Sequence, residues 1–112
     1  KKKKSGNNLK QIMIITKTFD DIEFKKHPNG DGIVGNLVIN GNTLSVVAGS
    51  SSYCFPKKNF KSSNLYTLYE VAVWDENGKF ITKELYPGHE HDVMGWVSKD
   101  DINSLIEKIE QQ

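Results

Sequence analysis

The chain has 112 residues, a mass of 12.7 kDa, 15 basic and 14 acidic side chains, one cysteine and a net charge of +1. That length suits a single domain burying roughly two-thirds of its unfolded surface without covalent staples. The lone cysteine excludes an intramolecular disulfide or a cysteine-rich zinc module, and no apolar run approaches the ~20 residues of a membrane span.

The near-neutral total divides unevenly along the chain. Residues 1 to 10 hold five of the fifteen lysines and no acid, so ten lysines face fourteen acids in the remainder, which carries about −4. All the basic side chains counted are lysines; arginine is absent. The run Lys1 to Lys4 with Ser5-Gly6-Asn7-Asn8 reads as a solvated, disordered arm, or second as a contact for nucleic acid or an anionic membrane. No apolar segment of about 7 to 15 residues follows it as a secretory signal requires, so the expected location is cytoplasmic. The domain expected to follow spans residues 11 to 112. Its first apolar run is Ile12 to Ile15.

Ile22 and Phe24 alternate with Glu23 and Lys25 in the period of a half-buried strand. His27-Pro28-Asn29-Gly30-Asp31-Gly32 ends it with a cluster of turn residues. Ile33 to Ile39 and Thr43 to Ala48 flank Asn40-Gly41, a pair that tolerates the two positive φ angles of a type I′ turn. A two-residue loop sets Leu37 opposite Leu44 and Gly35 opposite Val46. It gives Ile33, Leu37, Leu44, Val46 and Ala48 one apolar face. A second hairpin is expected from Leu65 to Trp74 and Lys79 to Leu85 across Asp75-Glu76-Asn77-Gly78, with Tyr69, Val71 and Val73 inward.

The C-terminus predicts a helix. Ser98 is an N-cap, Asp101 holds the reciprocal capping position, and Val97 and Ile102 have the spacing of a hydrophobic staple. Ile102, Leu105, Ile106 and Ile109 recur as one apolar stripe, which must pack on something because so short a helix is marginal alone. The expected fold is therefore α+β: an antiparallel sheet of about five strands, built from two hairpins, with the C-terminal helix across one face. An edge strand near Ile22 could support an oligomer by pairing across a two-fold axis.

Two segments carry candidate chemistry. Residues 49 to 64 form a long connection that interleaves Tyr53, Phe55 and Phe60 with Lys57, Lys58 and Lys61. Rings to stack on and ammonium groups to neutralise phosphate suit a nucleotide, and exposed aromatics equally suit a protein partner. The plainer alternative is a mobile loop whose rings fold back on the core. His89, His91 and Asp92 are the one cluster of metal-ligand residue types, against an ordinary exposed turn; His27 is the remaining histidine.

Cys54 lacks a local general base, the serines lack a nucleophile elbow, and the acids form no pair spaced for acid–base work. The expectation is a non-enzymatic protein without a cofactor. Lacking arginine, it is poorly equipped for the bidentate contacts of sequence-specific DNA recognition.

Phe19-Asp20-Asp21-Ile22-Glu23-Phe24, His27-Pro28-Asn29-Gly30, Asn40-Gly41, Ser45-Val46-Val47 with Gly49, Tyr69-Glu70-Val71-Ala72-Val73 and Asp92-Val93-Met94-Gly95-Trp96 together resemble small uncharacterised proteins of phages and mobile elements. That resemblance spans roughly residues 18 to 110. It implies no activity and no catalytic residues. What it implies is an accessory factor that binds a host or defence protein, with inhibition of that protein as the expected consequence. Lysine as the sole strong base, with abundant Asn and Ile, points in addition to an AT-rich genome.

Overall fold

The computed structural model describes residues 17–112; the expected basic arm and the Ile12 to Ile15 run lie outside the described residues. Five strands form one antiparallel sheet in the order β1 (Glu23–Lys26), β2 (Ile33–Ile39), β3 (Asn42–Ala48), β4 (Tyr69–Trp74) and β5 (Val93–Val97). A helical turn, α1 (Thr82–Leu85), and the C-terminal helix, α2 (Lys99–Glu110), complete the α+β fold. No helix among the described residues is long and apolar enough to cross a membrane.

The β2–β3 hairpin has the register its turn dictates. Leu37 pairs with Leu44 and Gly35 with Val46. Asn40 and Gly41 take φ of +52° and +83°, as a type I′ connection requires. Ile33, Leu37, Leu44, Val46 and Ala48 are buried, and Tyr69, Val71 and Val73 continue that face across β4. Gly35 is needed because a side chain there would run into Ile22, whose Cγ2 lies 2.4 Å from the position of an added Cβ.

Helix α2 covers this face. Ile102, Leu105, Ile106 and Ile109 are fully buried. Ser98 accepts the Asp101 N–H at 3.1 Å, satisfying one of the unpaired donors of the first turn. The far end is tied back to the hairpin, where the Asn40 side-chain amide donates to the Glu110 carbonyl at 2.9 Å. The opposite face of the sheet carries Val34, Asn36, Thr43, Ser45, Glu70 and Ala72, all partly or largely accessible.

The second hairpin departs from expectation. β4 begins at Tyr69, after a 3-10 turn at Ser63–Leu65, and the segment Lys79 to Leu85 is not a full strand. Phe80 bridges to Trp74, Ile81 N–H donates to Val73 O at 2.8 Å, and then the chain coils into α1. The buried Thr82 hydroxyl explains the exit. It accepts the Val73 N–H at 3.0 Å, replacing the bond that another strand residue would supply, and lies 2.7 Å from the Asp92 carbonyl to which it donates. The vacated edge of β4 is filled by β5, with Val71 paired to Met94 and Ala72 to Val93.

Candidate binding surfaces

The connection from Gly49 to Asn64 is fastened at several points along its length. Cys54 is buried, and its Sγ lies 3.2 Å from both Gly49 N and Gly49 O, accepting from the first and donating to the second. Phe55 bonds through its main chain to Leu68 and Thr67. The buried Tyr66 hydroxyl accepts Phe60 N–H at 2.8 Å and donates to the Lys58 carbonyl. Asn59 Oδ1 accepts Ser50 N–H at 2.7 Å. Burial holds the Tyr66 phenol above its usual pKa, opposed by the Phe60 N–H, so it stays a neutral donor. Cys54 is therefore an anchor of the loop, a role that its lack of a base in sequence left open.

Fastened in this way, the loop crosses one end of the sheet and divides its six singled-out residues between two places. Tyr53 lies against β5, and Phe55, exposed, bridges to Leu68 just before β4. Phe60 packs on the core against Tyr66, ring centroids 5.3 Å apart, and with Lys61 turns towards β1. Lys57 stands 5.6 Å from the centroid of Tyr53, and Lys58 is exposed. The loop residues thus do not converge on a single ligand.

Beside β5 the sheet is bulged. Tyr69 pairs with Val97 but Val71 pairs with Met94, so Gly95 and Trp96 together oppose Glu70. Trp96 takes φ of +54°, a conformation in which a bulky side chain is an outlier. Its N–H donates to Tyr53 O at 2.9 Å, while Tyr53 N–H donates to the Glu70 carboxylate at 2.9 Å. Gly95 is required, since a Cβ there would fall 2.5 Å from the Tyr53 Cβ. The bulge stacks Trp96 on Tyr53, centroids 5.2 Å apart, and leaves them 59% and 53% exposed, with Phe55 at 59%.

His89 and His91 belong to the same surface. Their rings meet edge to face at 5.8 Å, and with Tyr53 and Trp96 they line a shallow concavity of about 460 Å³. Asp92, the third member of the suspected metal cluster, also lines this concavity, and its carboxylate is 3.7 Å from Lys83 Nζ. His89 Nε2 is 3.0 Å from the Val93 carbonyl, an acceptor that draws the ring proton to Nε2. Among the described residues no three His, Cys, Asp or Glu groups come together as a metal ion requires. His27 is engaged in its own turn, its Nδ1 accepting Asn29 N–H at 3.3 Å.

Sequence reasoning missed Trp96. The available signal was a glycine beside a tryptophan within an apolar run, Val93 to Val97, just before the helix cap; glycine inside a strand pattern marks a bulge or a close approach. No protein-family model matches the chain, and comparison with curated proteins and with solved structures likewise finds no match.

Proposed function

We propose that the protein is a non-enzymatic binding protein that captures a partner protein on the ridge formed by Tyr53 and Trp96, with Phe55 exposed on the same loop. One observation carries this reading: three large aromatic rings stand more than half exposed on backbone that is hydrogen-bonded in place. Tyr and Trp dominate the energetics of protein interfaces, and side chains already fixed in position lose little freedom on association. The strained φ at Trp96 supports the same reading, because such conformations concentrate where function demands them. Lys57 and Lys58 supply a polar rim, suited to an acidic border on the partner. The resemblance to phage and mobile-element proteins narrows the partner to a host or defence protein, which binding would inhibit by occupancy.

The test is affinity capture with crosslinking from a lysate of an AT-rich Gram-positive bacterium. The intact chain is expected to retain a partner in stoichiometric amount. Tyr53→Ala and Trp96→Ala are each expected to cost about 2 kcal/mol or more of binding, roughly thirtyfold, and Lys79→Ala on the distant hairpin nothing. Capture of background proteins alone, or an unchanged partner in the Tyr53/Trp96 double variant, would overturn the reading.

A further inference from the structure

At the opposite edge of the sheet, β1, the Gly30–Gly32 turn and residues 59 to 61 of the long loop enclose a second concavity of about 480 Å³. Phe24, Phe60, Lys25, Lys26 and Lys61 contribute to its wall, and no carboxylate does. The ion pairs among the described residues are Lys79 with Glu84 and Lys83 with Asp92, so none of these three lysines has a carboxylate oxygen within 4.0 Å there. On β1, Lys26 shares the face of Phe24, whereas Lys25, paired with Val34, belongs to the other face and reaches only the rim. The ammonium groups of Lys26 and Lys61 repel each other unless an anion joins them. They do so on a chain whose residues after the tenth carry an excess of acid.

The apolar part of the wall is equally specific. Phe24 rests on Phe19, ring centroids 5.6 Å apart, and Phe60 rests on Tyr66 at 5.3 Å. Both rings are half-buried, held from behind, and present their remaining surface to the concavity. Fixed aromatic surface beside unpaired cations is the complement of a planar base carrying phosphates. The volume lies within the range of small-ligand sites. Lysines act as point charges on flexible stems, which fits a flexible polyphosphate better than a single phosphate held bidentately. A nucleic-acid strand would need the basic track to continue, yet Lys57, further along the loop, is turned to the Tyr53 ring.

We propose that this concavity binds a nucleoside triphosphate, with Lys26 and Lys61 on the phosphate chain and the base against Phe24 and Phe60. The site is independent of the aromatic ridge by β5, and the two readings stand or fall separately. Calorimetric titration of the full chain with ATP, tripolyphosphate and adenosine tests it. ATP is expected to bind saturably, more tightly than either fragment, and less tightly as sodium chloride rises. The double variant Lys26→Ala/Lys61→Ala is expected to lose at least tenfold in affinity with an unchanged melting temperature. Lys26→Arg is expected to retain binding, and Trp96→Ala to bind ATP as the parent does.

Phe60→Leu is expected to weaken ATP without weakening tripolyphosphate. Absence of ATP binding, or equal binding by the double lysine variant, overturns the proposal. Tripolyphosphate binding as tightly as ATP removes the role of the rings and with it the nucleotide. A thymidine octanucleotide binding tenfold or more tightly than ATP overturns it in favour of a single strand.

Discussion

Tyr69 holds its hydroxyl proton where an ionised oxygen would have no compensation. The ring is fully buried, and the hydroxyl is 2.7 Å from Ser63 O and 2.9 Å from Tyr66 O, acceptors that it can serve only while protonated. Burial, and then the neighbouring Tyr66, push its pKa up to about 12 from the usual 10.0. The unfolded chain releases this proton near pH 10 while the folded chain retains it. The stability it confers is therefore complete below pH 10 and lost as pH rises towards 12. Tyr66 and Tyr86 shift the same way, each chiefly by burial. Thermal melts followed by circular dichroism should be level from pH 7 to 9 and fall beyond 10. Tyr69→Phe should cost about 1 kcal/mol at neutral pH and show a shallower alkaline decline; an equal decline would contradict this account. Trp96 behaves oppositely. Trp96→Asn relieves a conformation that Asn adopts readily while giving up the Tyr53 contact, terms of about 1 kcal/mol each. Chemical denaturation should show a net change below about 1 kcal/mol, whereas partner capture should fail.

At the scale of elements, the β2–β3 hairpin was legible because its turn is a two-residue problem. Asn40 and Gly41 both need positive φ, and the register of seven pairs follows from where they sit. Gly41→Ala puts a Cβ on a residue at φ +83° and should destabilise by about 1–2 kcal/mol, read from the urea midpoint at unchanged slope. The helix was legible for a similar reason, since the Ser98 cap and the stripe from Ile102 to Ile109 lie within twelve residues of each other. The second hairpin was not. Gly78 closes its turn as expected, with φ of +83° and its N–H bonded to Asp75 O at 3.0 Å, but the strand after it ends within three residues. Thr82 reads as one more β-branched residue in a strand-like run, and its hydroxyl acts as a ladder partner only once Val73 and Asp92 stand beside it.

For the molecule as a whole, one helix covers one face of one sheet, and that face is the core. Removing α2 would expose Leu44, Val46, Val71 and Val73 along with their neighbours, all buried in the intact chain. A chain ending at Ser98 should therefore show no cooperative melt and no dispersed amide spectrum, while Leu105→Ala in the full chain should fold with about 2–5 kcal/mol less stability. The near-neutral net charge is a sum of unlike parts, and the sheet separates two unlike surfaces: aromatic beside β5, basic beside β1. By itself the sequence determined the turn at Asn40-Gly41, the inward faces of β2, β3 and β4, and the capped C-terminal helix, because each depends on φ preferences and periodicities spanning a few residues. Only the tertiary structure decided that Val93–Val97 is the fifth strand, that the long loop sends Tyr53 to one edge and Lys61 to the other, and that Phe24 and Lys26 meet Lys61. Those meetings join residues far apart in the chain, and they are fixed by which segments can satisfy one another's backbone bonds and fill the same volume, something no local pattern records.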